Sequence, residues 1–504
     1  MVFSSFVFLF RFLPAVLLVY YLVPRIYKNL VLFLASLIFY AWGEPLYVGL
    51  MIFSTVTDYV HGKLVDSFLN RNRRLAAKCT VASSVVINVL LLGIFKYSDL
   101  LIQWVNLAAH TQIPLLELPL PVGISFYTFQ TMSYTIDIYR REARPARNII
   151  DFGAFVALFP QLVAGPIIRY ETTDLQLRKR EINREKLVRG TLRLVIGLGK
   201  KVLLANNIGV LWQTVSAIPM DEMTLLKAWL GTAAFAFQIY FDFSGYSDMA
   251  IGLGYLFGFI YPENFRYPYM ADSITDFWRR WHITLSTWFK EYVYFPLGGS
   301  RKGKGIQIRN LLIVWGLTGI WHGASLNFLF WGLYFAVLLI NEKLWLLKAL
   351  EKCHAVVRHL YALFFIMIGW VIFAFDHIQD GIRYMSAMFG VSGLPAVDRE
   401  SLYLLSEYAL LLVLLAFGCT RLPSNRIRTL VSEHCRTAAS PSPSTDTVDS
   451  GTANSGTAGA GTDHGGIRRV GIYCIVCMGT VCILLLSIAY LVNASYNPFL
   501  YFRF

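Results

Sequence analysis

Charged residues are scarce in this sequence. Only 15% of its 504 residues are Asp, Glu, Lys or Arg, whereas 56% are hydrophobic and the mean hydropathy is +0.52. A soluble core of this length is too small to hide so much apolar surface. The composition therefore excludes a soluble globular protein and predicts a chain whose excess apolar surface is covered by lipid.

Signals for metal and nucleotide binding are weak. Seven cysteines are present, and Cys474 and Cys477 form a CxxC pair with no second ligand pair nearby, so ordinary helix packing is favoured and no metal site or bound cofactor is predicted. No GxxxxGK[ST] sequence occurs. The loop PLGGSRKGKG at 296–305 resembles a phosphate-binding loop in composition only. Its basic residues suit the phosphates of a nucleotide-based donor and lipid headgroups equally well.

Long apolar runs dominate what is present. Residues 6–24 and 311–340 are long enough to cross a hydrocarbon layer of about 30 Å at about 1.5 Å per residue. Arg11 interrupts the first run and no small-residue cleavage site follows it. We therefore predict a retained helix there and not a signal peptide.

The net charge of +14 arises from basic clusters in particular connecting loops. Such a distribution indicates membrane orientation and argues against nucleic-acid binding. With the basic loops in the cytoplasm, we predict an all-α polytopic membrane protein with about 11–12 spans and with both termini on the outer side. The clusters lie at residues 25–28, 63–78, 140–147, 169–193, 266–309, 343–358 and 421–428.

Two segments depart from the pattern of simple spans. Residues 151–168 start and end beside basic loops and contain Pro160 and Pro166, which predicts a re-entrant hairpin buried among helices. Residues 437–466 are almost purely small and polar, which predicts a flexible cytoplasmic loop. Neither segment indicates a separate domain, so residues 1–504 are predicted to form a single membrane domain.

His322 is the clearest ionisable residue inside an apolar run. The run 310–340 is too long for one span, and GASLN at 323–327 predicts a break between two helices. If the first helix leaves the cytoplasmic face after Arg309, His322 lies about 20 Å deep, beyond the midplane. Because ionisable side chains are costly in lipid, a functional role is favoured over that of a core histidine.

A second histidine, His282, lies on a different kind of segment. Ser273 and Asp276 form a capping-box start, and aromatic and apolar residues then recur at spacings of three and four. This predicts one amphipathic helix at the cytoplasmic interface, with its aromatic face turned inward. From spacing alone, a core histidine bonded to a backbone carbonyl is favoured over a catalytic one. The predicted inward face comprises Trp278, Trp281, His282, Leu285, Trp288, Phe289 and Tyr292.

Two acidic residues, Asp242 and Asp248, also lie in apolar surroundings. They could pair with buried Arg or His, or cap a helix broken at Ser244–Gly245. Structural pairing is favoured over direct catalysis.

Several long motifs of the chain are distinctive. They are VFSSFVFLF at 2–10, GISFYTFQ at 123–130, FPQLVAGPI at 159–167, QIYFDFSGYSDMAIGLG at 238–254, PENFRYPY at 262–269, WRRWHITLSTW at 278–288, WHG at 321–323 and the terminal NPFLYFRF. Together they resemble the membrane-bound O-acyltransferase family, and most closely its bacterial branch that serves alginate O-acetylation. The resemblance runs from residue 2 to about residue 345 and is highly specific, whereas residues 437–466 depart from the family pattern.

The resemblance implies transfer of an acyl group from a thioester donor to a hydroxyl. The family's characteristic membrane histidine and its second polar residue match His322 and His282. The alginate-like branch passes acetyl outward to a separate periplasmic acetyltransferase of the SGNH-hydrolase type, which works with polysaccharide synthesis and export machinery. The chemistry agrees, since a hydroxyl attacking a thioester needs a general base and imidazole serves near neutral pH.

Acetyl-CoA is the implied donor. Its phosphates are expected to dock on the cytoplasmic basic surface, while its pantetheine arm enters a tunnel between helices. His322 is expected to deprotonate the acceptor, and His282 to position the donor or relay the proton. The expected donor-binding residues are Arg279, Arg280, Trp281, Arg301, Lys302, Asp242 and Asp248.

Three alternatives stay open at this point. A D-alanyl transferase for teichoic acid belongs to the same superfamily but requires a docking surface for a carrier protein. A transporter or flippase is also built from broken helices and intramembrane Asp and His. A purely structural membrane scaffold is the third. Alginate, cellulose and other glycans are all compatible as the polysaccharide.

Overall fold

The computed structural model describes residues 2–163, 165–391, 393–422 and 464–493, with backbone alone for 464–473 and 493. This part of the chain is helical and contains no β-strand. The helices are α1 Leu13–Leu22, α2 Lys28–Ala41, α3 Val48–Asn70, α4 Arg74–Ala109, α5 Ile124–Arg140, α6 Ile149–Ala157, α7 Phe159–Leu162, α8 Tyr170–Arg178, α9 Arg184–Gly199, α10 Asn206–Ser216, α11 Leu225–Leu256, α12 Ile274–Arg280, α13 Ile283–Phe289, α14 Lys304–His322, α15 Leu326–Asn341, α16 Leu347–Glu351, α17 Ala355–Ala374, α18 Ile378–Met388, α19 Arg399–Gly418 and α20 His464–Asn493.

Within the described ranges, five helices are long and apolar enough to cross a membrane by themselves. The outer ones leave many large apolar side chains exposed, such as Leu101 on α4 and Leu410 on α19. Lipid is the solvent that suits such faces. The all-α polytopic prediction is confirmed, while the predicted total of about 11–12 spans stays a prediction. The five are α4, the continuous stretch Arg184–Ser216, α17, α19 and Cys474–Val492.

The segment expected to be re-entrant forms the short helices α6 and α7, which meet at Leu158. The described residues from Asp151 to Ile168 are all buried. Asn148 starts α6 because its side chain accepts the N–H of Asp151 at 2.8 Å. A segment broken this way cannot span a bilayer, and burial among helices satisfies its backbone, in agreement with the prediction.

Helix α11 runs through the centre of the molecule and packs closely against α9. Glycines make this contact possible. A Cβ on Gly197 would lie 2.6 Å from the Gly245 carbonyl oxygen, and one on Gly252 would lie 2.7 Å from that of Gly190. Small residues therefore bring the two backbones together, as in other membrane helix pairs.

Helix α5 is held against α3 and α4 by buried polar side chains. Asp58 accepts from Ser84 at 2.6 Å and from Asn88 at 2.7 Å. Thr131 of α5 donates to Asn88 at 3.0 Å, and Thr135 lies 3.1 Å from Ser84. Hydrogen bonds between helices in a membrane fix rotation as well as distance, so this network sets which face of α5 turns inward.

Two expectations concern the C-terminal part of the chain. Most of the low-complexity segment, residues 437–463, lies outside the described residues, as does the terminal sequence SYNPFLYFRF. Residues 464–466 belong to α20, and the flexible cytoplasmic loop over 437–466 otherwise stays a prediction.

Candidate active site

The predicted amphipathic helix is in fact two short helices, α12 and α13, with His282 between them. The predicted start is confirmed, since Ser273 Oγ accepts the N–H of Asp276 at 3.0 Å. Helix α12 then ends at Arg280, and His282 adopts φ 42° and ψ 54° in the left-handed region. The expectation of one continuous helix is therefore wrong. Its aromatic stripe nevertheless faces inward, and His282 itself is buried.

Asn264 holds the chain in this break. Its backbone carbonyl accepts the N–H of Ile283 at 3.0 Å, and its Oδ1 accepts the N–H and the hydroxyl of Thr284 at 3.3 and 2.9 Å. These contacts replace the helical hydrogen bonds that the stripe of apolar residues led us to expect. The physical cause of the break is therefore a residue from outside the segment.

The same contacts assign the tautomer of His282. A backbone N–H can only donate, so the Asn264 atom that faces Thr284 is the oxygen. His282 Nδ1 lies 3.1 Å from that oxygen and must donate to it. In the neutral ring the lone pair is then on Nε2. His282 is thus bonded to a side-chain amide and not to the backbone carbonyl expected of a core histidine.

His322 is the last residue of α14, directly before the break predicted at GASLN. It lies about 27 Å along the helix axis from Lys304, the first residue of α14, and its depth in the membrane stays a prediction. Lys96 and Tyr97 of α4 donate hydrogen bonds to the carbonyls of Trp321 and Ile320. A cation at a helix C-terminus is favourable, and the two bonds satisfy carbonyls that the helix itself leaves free. Neighbouring α4 therefore fixes the end of the helix that carries His322.

The two histidines share one aromatic neighbour, Trp321. Its ring lies 4.8 Å from that of His322 and 6.3 Å from that of His282, centre to centre. Trp331 and Phe373 contact His322 at 4.9 and 5.2 Å. His322 Nδ1 is buried and has no hydrogen-bond partner among the described residues. The structure therefore brings together two imidazoles, predicted separately from sequence, within a water-poor aromatic enclosure.

Comparison with known proteins identifies the family of the chain. A sequence profile of the membrane-bound O-acyltransferase family matches residues 91–348, which include both histidines. The chain belongs to that family. It is accordingly an O-acyltransferase and a multi-pass membrane protein.

Three relatives illustrate the range of the family around this chain. A probable alginate O-acetylase of Pseudomonas syringae pv. tomato is 41% identical over 409 residues, which cover 80% of this chain and 78% of the relative. A peptidoglycan O-acetyltransferase of Helicobacter pylori is 34% identical over 430 residues, covering 78% and 80%. A teichoic acid D-alanyltransferase of Bacillus subtilis is 30% identical over 232 residues, covering 43% and 58%.

Three of the predicted donor-binding residues are consecutive at the end of α12. They are Arg279, Arg280 and Trp281. Trp281 is buried, and its ring packs 4.8 Å from that of Trp370. Arg280 Nε donates to Asp276 at 2.8 Å, whereas Arg279 is exposed. Trp281 therefore belongs to the aromatic core beside His282. Arg280 is held by Asp276, whereas Arg279 is exposed and has no ion pair in the described structure.

The glycine-rich loop lies between α13 and α14. Arg301 and Lys302 are exposed and have no ion pair within the described ranges. Asn310, which is fully buried, anchors the loop by donating to the carbonyl of Gly299 at 3.0 Å. Gly303, with φ 100°, takes a backbone conformation that suits only glycine. The loop is thus shaped by the fold, and its cations are free to contact an anion.

Asp242 and Asp248 pair with cations of α9 and of the stretch that joins α9 to α10. Asp242 lies 2.7 Å from Lys201, and Asp248 lies 2.8 and 2.7 Å from Arg193 and Lys200. Helix α11 continues through residues 244 and 245, which excludes the alternative of a helix broken at Ser244–Gly245. Both aspartates thus form ion pairs with neighbouring cations, which is the interpretation that the sequence favoured. A role of either aspartate in donor binding stays a prediction.

Sequence reasoning missed Asn264, Lys96 and Lys201 as parts of the site or its support. Lys96 and Lys201 each interrupt an apolar run, which is a signal that could have been used. Asn264 gave no such signal, because it lies in a polar connection. In the part of the chain that the structure describes, no group of three or more His, Cys, Asp or Glu side chains lies close enough to hold a metal ion.

Proposed function

We propose that this acyltransferase takes an acetyl group from acetyl-CoA on the cytoplasmic side of the inner membrane and passes it outward for O-acetylation of an exported polysaccharide, alginate or a similar glycan. The observation that carries the proposal is the pair of buried imidazoles around Trp321, joined to family membership. Relatives named as O-acetylases that match about four fifths of the chain support acetyl as the group and a polysaccharide as its destination.

The proposed chemistry is a single acyl transfer from sulfur to oxygen. A hydroxyl oxygen of the acceptor attacks the thioester carbonyl while His322 accepts the hydroxyl proton. The carbon–sulfur bond breaks, and the thiolate leaves with the proton returned by the imidazolium. His282, whose Nδ1 is held by Asn264 so that Nε2 carries the lone pair, positions the donor or relays that proton.

The outward direction is supported by the position of His322 at the far end of α14. A donor entering near Arg301 and Lys302 starts close to Lys304, about 27 Å from the histidine along the helix. Acceptors from the outer side then reach His322 by the shorter route. A periplasmic acetyltransferase of the SGNH-hydrolase type is the proposed recipient of the acetyl group, and both chain termini are proposed to be periplasmic.

D-alanyl transfer is the second candidate, favoured by the teichoic acid D-alanyltransferase among the relatives. Its shorter match, 43% of the chain, makes it the weaker one. Purified protein in nanodiscs should release free thiol from acetyl-CoA and none from a D-alanyl-charged carrier protein. If thiol is released only from the charged carrier protein, the transferred group is D-alanyl and not acetyl. If thiol is released from neither donor, a thioester donor is refuted.

A further inference from the structure

Residues 257–273 join α11 to α12, and side chains of α8 and α9 hold the first part of this connection. Lys186 Nζ donates to the carbonyl of Gly258 at 3.1 Å. The Gln176 carboxamide accepts the N–H of Ile260 at 2.7 Å and donates to its carbonyl at 3.3 Å. Backbone groups outside any helix thus find partners on helices earlier in the chain. The connection is therefore fixed to α8 and α9.

Arg193 of α9 holds the same connection through charge. Its Nη1 donates to Glu263 Oε1 at 2.6 Å, and its Nη2 bonds the second oxygen of that carboxylate. Its Nε and Nη2 also donate to Asp248 of α11, at 2.9 and 2.8 Å. Lys200 donates to the other Asp248 oxygen at 2.7 Å. Because the guanidinium is planar and forked, such bonds fix the direction of its partners as well as their distance.

Glu263 and Asn264 are adjacent residues with different partners. Glu263 bonds α9, whereas Asn264 Oδ1 accepts from His282 Nδ1 at 3.1 Å and the Asn264 carbonyl accepts the N–H of Ile283 at 3.0 Å. Consecutive Cα atoms are only about 3.8 Å apart and the peptide between them is rigid, so a shift of one residue displaces the next. Arg193 is therefore connected to His282 through Glu263 and Asn264 alone.

The contact with Glu263 is separable from the packing of α9 against α11. Those two helices meet at glycines, and Arg193 remains paired with Asp248 when Glu263 is removed. The Glu263 side chain is 35% exposed, so its removal leaves no buried charge without a partner. The pair of Arg193 with Glu263 therefore holds the connection and is not required to join the two helices.

We propose that Arg193 is a positioning residue for acyl transfer, which holds Glu263 and thereby keeps Asn264 opposite His282 Nδ1. Asp248 orients the guanidinium for this task. The inference rests on the proposed function for the part of His282 in the reaction. Without the clamp, His282 loses its fixed orientation and tautomer, and a displacement of about 1 Å at a catalytic group can lower a rate about 10²-fold.

Glu263→Ala tests the inference on the full-length protein in nanodiscs, since it cuts the link to the connection and leaves Arg193 paired with Asp248. We expect kcat for thiol release from acetyl-CoA to fall about tenfold or more, and Arg193→Gln to behave alike. Glu263→Gln keeps one acceptor for the guanidinium and should recover part of the loss. Glu185→Ala is the matched control, because it removes an exposed carboxylate that pairs with Arg189 of α9 at 2.6 Å, and it should match wild type.

A double variant distinguishes positioning from general support of the fold. If Glu263 acts through Asn264, adding Glu263→Ala to Asn264→Ala should bring no further loss of kcat. Losses that multiply in the double variant would overturn the inference. So would wild-type kcat in Glu263→Ala beside a loss in Arg193→Gln, because Arg193 would then act only through the helix pair.

Hydrogen exchange separates this inference from the proposed function, because it requires no turnover. The N–H groups of Ile283 and Thr284 are bonded to Asn264, so their exchange reports whether the connection is held. In Glu263→Ala they should exchange about tenfold faster or more, and in Glu185→Ala at the wild-type rate. Unchanged exchange in Glu263→Ala would overturn the clamp. Faster exchange in Glu263→Ala, together with a wild type that releases no thiol from acetyl-CoA, would support the clamp and refute acetyl-CoA as donor.

Discussion

Replacement of His322 is the most direct test of the site. A general base contributes about 10²–10⁴-fold to a rate, so His322→Ala should abolish measurable acetylation of the exported polysaccharide. His322→Gln keeps the size and hydrogen-bonding capacity of the side chain but cannot take up the proton, and it should be equally inactive. Activity in the Gln variant would make the residue a positioning group and shift the role of base to His282.

The fold should survive these changes. The His322 ring contacts the rings of Trp321, Trp331 and Phe373 at 4.8 to 5.2 Å, so its removal leaves a cavity. Its Nδ1 is buried without a partner in the described structure, so the substitution also removes an unsatisfied polar group. These opposing effects leave a net destabilisation of about 1–3 kcal/mol for Ala and less for Gln. Membrane abundance and detergent monodispersity should therefore stay near wild type.

The assay is base-released acetate per unit of polysaccharide in a deletion strain that carries each variant at matched membrane abundance. His282→Ala should be strongly impaired, and combining it with His322→Ala should add little, because residues that act as one catalytic unit are non-additive. Wild-type acetate from the His322→Ala strain would refute acyl transfer with His322 as the base.

Three further predictions concern the donor, the second histidine and the topology. Reversing the charge of Arg301 and Lys302 should raise KM for acetyl-CoA more than it lowers kcat. The kinetics with S-acetylpantetheine, which has no phosphates, should stay unchanged. An unchanged KM for acetyl-CoA would show that its phosphates bind elsewhere. Asn264→Ala should lower kcat about 10–100-fold. Asn264→Asp keeps a hydrogen-bond acceptor opposite His282 Nδ1 and should retain more activity. Equal losses in the two variants would contradict the assigned tautomer of His282. The topology is tested with single cysteines introduced into a cysteine-free variant in spheroplasts. A cysteine at position 112, in place of Gln112, should react with an impermeant thiol reagent, and one in place of Ser300 should not. The reverse pattern would overturn the predicted orientation.

Local patterns were sufficient where the interaction is local. The N-terminus of α12 follows from Ser273, whose side chain bonds a backbone group three residues away. The break before α15 follows from GASLN, and the position of His322 beside that break follows with it. The inward aromatic stripe was also predicted correctly. Spacings of three and four residues put the apolar side chains on one face of a helix, and that face is the one that becomes buried.

The interruption at His282 was not predictable in this way. Asn264, which causes it, lies eighteen residues earlier in the chain, and its hydrogen bonds outcompete the helical ones at Ile283 and Thr284. The sequence also left open whether α11 continues through Gly245, for a related reason. A glycine that looks like a helix breaker in sequence is there a point of close approach to α9.

The sequence by itself determined that the chain is an all-helical membrane protein, because composition and long apolar runs decide that point. His322 stood out through the cost of an ionisable group in lipid, whereas His282 was singled out by the family resemblance, and the roles of both stay predictions. Only the tertiary structure decided that the two imidazoles flank Trp321 and that Asn264 selects the tautomer of His282. These features depend on contacts between helices far apart in the chain, and such contacts leave no periodic trace in a single sequence.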